Sequence, residues 1–144
     1  MQRNHIITNS AAIVPKQVLA EKITILADNS QTGSYEVYVH DAPQDAGPPP
    51  HSHPWDEAFY VTEGEVEFTC GGANTMVTKG GFVHVPAGTI HCFRYASPTA
   101  QILGITSGKG AAKMFSALDR ECGSSPDMGQ VLAVLGSHDV SVAT

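Results

Sequence analysis

No run of lysine or arginine occurs anywhere in the chain, and 8 basic side chains face 14 acidic ones, a formal charge of −6. Phosphate backbones and anionic membranes attract proteins through clustered positive charge. Nucleic acid and membrane surfaces are therefore not expected partners. No stretch approaches the ~20 consecutive apolar residues of a membrane-spanning helix, and the N-terminal run around Arg3 and Lys16 is too short and polar for a signal peptide's apolar core. A cytoplasmic location is the expectation. Cysteine is scarce: Cys70, Cys92 and Cys122 lie far apart with no C-x-x-C spacing. This argues against zinc held by cysteines and fits free thiols used as small buried apolar residues. Aromatic residues are also few, at 7%. No internal repeat and no low-complexity tract is present.

What the chain does have is turn formers, 14 Gly and 9 Pro, set among 42% hydrophobic residues. Short strands with many turns produce that balance, and 144 residues suit one domain, here 1–144, with its own core. Ile23–Leu26 and Tyr35–His40 read as two strands of a hairpin around a turn-rich 28–34 segment. Residues 41–50 hold four prolines, too rigid and too poor in donors for a central strand, and read as a surface loop. Glu57–Val61 and Glu65–Thr69 read as the clearest hairpin, with Gly64 at its turn. Val66, Phe68 and Cys70 alternate with Glu65, Glu67 and Thr69, the period of a half-buried strand. Further strands are expected at 74–78, 81–85, 90–96 and 100–106. Eight short antiparallel strands predict an all-β sandwich or barrel over about 20–107.

The pattern changes after Gly110. Ala111, Met114, Phe115, Leu118 and Cys122 recur at helical spacing and Gly123 follows as a stop. Ser125-Pro126 reads as a cap and first helical residue, with Val131, Leu132 and Leu135 carrying a second short helix to Gly136. Two helices over about 110–136 are expected to pack against the outside or one mouth of the barrel.

The chemistry concentrates in His51-Ser52-His53-Pro54-Trp55-Asp56-Glu57. In an extended chain residues two apart share a face, so both imidazoles and the Glu57 carboxylate can converge. Divalent transition metals favour imidazole nitrogens with a carboxylate, although surface histidine pairs also reach this spacing by chance. A second segment, Gly80 to His91, adds a strand, a Pro86-x-Gly88 turn and a third histidine. Together the two resemble the paired motifs of the cupin superfamily, G-x5-H-x-H-x3,4-E-x6-G and G-x5-P-x-G-x2-H-x3-N. His51, His53, Glu57 and Gly64 match the first; Gly80, Pro86, Gly88 and His91 match the second, with fifteen residues between Gly64 and Gly80. Two positions depart: Asp45 stands at the leading Gly, with Gly47 shifted by two, and Tyr95 replaces the final Asn.

The resemblance implies a cupin jelly-roll barrel, with His51, His53, Glu57 and His91 holding one divalent transition metal ion (Fe, Mn, Ni, Zn or Cu). Three neutral imidazoles and one carboxylate leave that ion with net charge +1 and open positions. Neither departure removes a ligand, and Tyr95 is expected to alter the shape or polarity of the interior. Alternation places Phe59 and Val61 on the Glu57 face, Phe93 and Tyr95 on the His91 face, and turns Cys92 away. With Phe68 these are the expected pocket residues. His84 reads as an outer or surface group, and His5, His40 and His138 as surface residues. The chain is most similar to the quercetin-dioxygenase-like group of small cupins. This implies a metal-dependent dioxygenase acting on a small aromatic or enolic molecule, with Glu57 as catalytic base. The alternatives are a non-redox cyclase or isomerase, for example of a polyketide, and a non-catalytic binding or sensor protein. Sheet edges and the unassigned 6–19 segment suggest a homodimer.

Overall fold

The structure, a computed structural model, describes residues 3–143. Its strands are β1 (Lys16–Val18), β2 (Glu21–Ala27), β3 (Tyr35–Pro43), β4 (His51–Ser52), β5 (Glu57–Glu63), β6 (Glu65–Cys70), β7 (Ala73–Thr78), β8 (Phe82–Val85), β9 (His91–Tyr95), β10 (Thr99–Ser107) and β11 (Ser141–Val142). They form a six-stranded sheet ordered β1-β2-β3-β10-β5-β8 and a five-stranded sheet ordered β11-β4-β9-β6-β7. This is the antiparallel jelly roll expected from the sequence. A single turn, α1 (Asn29–Thr32), fills the β2–β3 connection, and α2 (Ala111–Cys122) and α3 (Met128–Ser137) follow the strands.

Several local readings need correction. Strands β5 and β6 are not a hairpin, because β5 pairs with β10 and β8 while β6 pairs with β7 and β9. The chain turns a corner at Gly64, whose φ is +77° and where a Cβ would sit 2.2 Å from the Thr99 carbonyl oxygen. Alternation reports which side chains point inward but not which strand lies alongside. The tight hairpin is instead β6–β7, closed by Gly71 and Gly72, both at positive φ. Strand β3 continues through Pro43 into the expected loop. Helix α3 is capped by Asp127, whose side chain accepts from the Gly129 N–H, so Ser125 is not the cap. The three cysteines are free, but each is half-buried rather than buried.

Two apolar clusters position the site. Between the sheets lie Phe59, Val61, Val66, Phe68, Val85, Phe93, Tyr95, Ala100 and Ile102. The other joins Val18, Ile23, Tyr38 and Trp55 to Met114, Phe115 and Leu118 of α2 and Val131 and Val134 of α3. The helices thus close one mouth of the barrel, and α2 is fixed there by a group from the sheet. Gly110, its N-cap residue, has no side chain to offer. Glu36 of β3, 2% exposed, accepts instead from the Ala112 N–H at 3.0 Å. A carboxylate at this end satisfies an otherwise orphaned donor and meets the positive end of the helix dipole.

Candidate metal centre

His51 lies on β4 and pairs directly with His91 at the start of β9. His53 and Glu57 reach the same point by a different route from the one the spacing suggested. Residues 53–56 leave the strand, and hydrogen bonds to two other segments hold them. The Gly88 N–H donates to the His53 carbonyl at 2.9 Å and the Ala87 N–H to Asp56 Oδ1 at 2.9 Å. Asp56 N–H also donates to Ser107 Oγ at 3.0 Å. The Pro86-x-Gly88 turn, with Gly88 at φ +82°, therefore fastens one half of the site to the other.

The three histidine ligand atoms lie within 4.8 Å of one another, close to the roughly 4 Å that opposite ~2.0–2.1 Å bonds to one ion would span. Their second nitrogens are all occupied. Nδ1 of His51 donates to the Pro49 carbonyl at 2.8 Å, that of His53 to Trp55 at 3.0 Å and that of His91 to Thr89 at 2.8 Å. Donation from Nδ1 leaves Nε2 of each neutral ring as a bare lone pair, the state in which imidazole binds metal. Nε2 of His53 and Nε2 of His91 are buried with no hydrogen-bond partner. Such orphaned acceptors are costly, and an ion between them removes the cost. The donor set fits a divalent transition ion.

Glu57 stands beside this group, which is made of the three histidines alone. Its Oε1 lies 3.8 Å from His53 Nε2 and 3.7 Å from His91 Nε2, and its Oε2 accepts from the Tyr38 hydroxyl at 3.0 Å. Burial pushes its pKa up, but His53 and His91 outweigh this and hold it at about 2. Burial, with His91 nearby, lowers His51 to about 4. Burial also acts to lower His91, but Glu57 and the Thr89 carbonyl prevail and raise it. Tyr38 is pushed well above the usual phenol range by burial and by Glu57, so its hydroxyl stays a donor.

The centre forms one wall of a cavity of about 70 Å³, which His51, His53, Trp55 and Glu57 share with Met114, Phe115 and Leu118. That volume exceeds the ~10–15 Å³ needed for one water several-fold. Among the expected pocket residues Phe59 and Phe93 line it. Val61, Phe68 and Tyr95 lie further along their strands, packed between the sheets. His84 is exposed on β8, as is His5 near the N-terminus. His40 corrects the reading that made it a surface residue: it is 4% exposed and also lines the cavity. Tyr38 and His40 were missed, although alternation along β3 buries Glu36, Tyr38 and His40 together. That signal was present but points equally to core.

The departures from the motif are absorbed locally. Asp45 takes the positive φ, +72°, that a glycine would adopt there, and pairs with Arg94 at 2.9 Å. Gly47 supplies the close approach, since a Cβ would lie 1.9 Å from the Phe93 carbonyl oxygen. Tyr95 is fully buried and donates to Glu21 Oε1 at 2.5 Å.

The cupin domain family matches residues 37–103. A quercetin 2,3-dioxygenase of Bacillus subtilis is 28% identical over 82 residues, 56% of this chain but only 24% of that enzyme. The chain thus spans about a quarter of the length of the curated relative it matches. Among solved structures, KdgF from Halomonas sp. has TM-score 0.66 at 20% identity, covering 72% of this chain and 93% of its own. The polyketide cyclase RemF from Streptomyces resistomycificus has TM-score 0.60 at 20% identity, covering 74% and 79%. At such identities they share the fold. The family match, the sheet order and these common folds agree: the chain carries a cupin domain.

Proposed function

We propose that the protein is a metal-dependent enzyme acting on a small aromatic or enolic molecule, with dioxygenation the leading reaction. One observation carries this reading: bare imidazole nitrogens, with the Glu57 carboxylate 3.8 and 3.7 Å from two of them, gather beside a mainly apolar cavity. A centre serving only the fold would not need a cavity beside it. His51, His53, His91 and Glu57 would hold one ion, which when bound supplies Lewis acidity and, for a redox-active metal, electron transfer. The three backbone carbonyls behind the histidines keep the rings oriented. Glu57 Oε1 faces the imidazoles while Tyr38 holds Oε2, so Oε1 is the atom placed to take a proton from an enol or hydroxyl. Its basicity depends on its neighbours. When His53 and His91 carry no extra proton, the influence that depresses Glu57 falls away and burial raises it. Phe59, Phe93, Phe115 and Leu118 present apolar surface to a ring and exclude water. The similarity to a quercetin dioxygenase supports the choice of reaction.

The test begins with metal analysis of untagged protein, with about one transition ion per chain expected. His91→Ala should lose it, whereas the exposed His84→Ala should cost less than the ~10–100-fold of an outer-sphere partner. Unchanged metal affinity in His91→Ala refutes the centre. Oxygen consumption on addition of a flavonol or diketone supports dioxygenation; product formed without oxygen would establish cyclisation or isomerisation instead. Saturable binding with no product in either condition would leave a binding protein.

A further inference from the structure

The cavity has a second polar wall that the histidine centre does not use. Glu21 on β2 and His40 on β3 are 5% and 4% exposed, and both line the cavity. Nδ1 of His40 lies 2.9 Å from Glu21 Oε1, and the same oxygen accepts the Tyr95 hydroxyl at 2.5 Å. A carboxylate oxygen accepts, so the proton between them sits on Nδ1, and in the neutral ring the lone pair is on Nε2. That Nε2 is buried without any hydrogen-bond partner. The rings around it belong to Tyr38, Phe59, Phe93 and Phe115, with centroids 5.1 to 6.1 Å away and edge-on arrangements. A histidine that merely clipped β2 to β3 would need one nitrogen only, and an apolar side chain in place of the other would cost nothing. Leaving the second nitrogen bare in an apolar wall is unfavourable unless something in the cavity donates to it.

We propose that His40 Nε2 is a second polar anchor of the cavity, accepting a hydrogen bond from a hydroxyl group of a small aromatic ligand. Glu21 and Tyr95 are positioning residues that fix the ring and its tautomer. The ligand body lies against Phe59, Phe93, Phe115 and Leu118. This inference deepens the proposed function and rests on it for treating the cavity as the substrate site. It narrows the substrate class to aromatic molecules carrying a hydroxyl in addition to any oxygen directed at the histidine centre.

The full chain, stripped of metal, is titrated with phenol and with anisole, which have the same ring but differ in having a donor. Phenol is expected to bind about ten-fold more tightly, the worth of one satisfied buried acceptor. His40→Phe should lose that preference and the exposed His84→Ala should keep it. Independently of any variant's folding, the ¹⁵N resonance of His40 Nε2 should shift upfield with phenol and not with anisole. In Glu21→Gln the same nitrogen should report mixed tautomers before any ligand is added. Equal affinity for the two probes, no binding of either, a preference that survives in His40→Phe, or an unmoved His40 resonance each overturns the proposal. Because no metal is present, failure of the histidine centre to bind an ion would leave these outcomes unchanged, so the two failures are distinguishable.

Discussion

Glu57 sits where two demands meet, since it faces two imidazole nitrogens through one oxygen and a tyrosine hydroxyl through the other. Glu57→Gln keeps the size and an oxygen but removes the base. Turnover per bound ion is expected to fall by roughly 10²–10⁴-fold, the usual contribution of a general acid or base. Metal content should fall only modestly, and full activity per ion would remove Glu57 from the chemistry. The buried tyrosines predict a separate behaviour at high pH. Tyr38 and Tyr95 are raised well above the usual phenol value, in both by burial first and then by a carboxylate, Glu57 or Glu21. Their folded pKa values exceed the unfolded ones, so above pH about 10 the unfolded chain binds fewer protons. The stability they contribute is complete below that pH and lost as pH rises, by about 1.4 kcal/mol per pH unit for each group. Denaturant unfolding between pH 9 and 11 measures this slope, and Tyr95→Phe should roughly halve the steepening.

Among the elements, α2 has its N-terminus held by a side chain distant in sequence. Its Gly110 cap leaves the first N–H groups without a local acceptor, and Glu36 from β3 fills the gap. Glu36→Gln is expected to destabilise the fold by about 1–3 kcal/mol, the range for a buried hydrogen bond to a charged group that is lost or left half-made. Thermal unfolding measures it, and an unchanged midpoint would show that the helix is held by packing alone. Both helices, their approximate limits and the Gly123 stop were legible because an apolar stripe at helical spacing is a local property. Strands β2, β3 and β5 to β10 were legible for the same reason. The very short β1, β4 and β11 were not, because two or three residues carry no measurable period and exist as strands only through their neighbours. The β5–β6 corner shows the same limit, since Gly64 serves a hairpin or a change of sheet equally well.

For the whole molecule, a homodimer is the expected assembly. Ile7 and Val14 are 89% and 84% exposed on the N-terminal segment. Tyr60 and Phe82, paired across β5 and β8, are 45% and 66% exposed beside the free edge of β8. Lys16–Val18 of that segment pairs within the chain, as β1 against β2. Sedimentation at micromolar concentration should show a dimer, and a chain beginning at Pro15 should associate more weakly; a monomeric full-length chain refutes this. The sequence by itself determined the barrel, its closing helices and the three histidines that cluster as a candidate metal site. Strand alternation and fixed motif spacing are written along the chain, and the Pro86-x-Gly88 turn and His51, His53, Glu57 and His91 occur at characteristic intervals. Tertiary structure alone decided that Glu57 meets the histidines through a loop rather than along one strand, and that Tyr38 holds its second oxygen. It also turned His40 from an apparent surface residue into a buried one facing the cavity. Those facts depend on which strands lie side by side and on where α2 closes the barrel, and contacts between residues far apart in sequence leave no periodic mark on it.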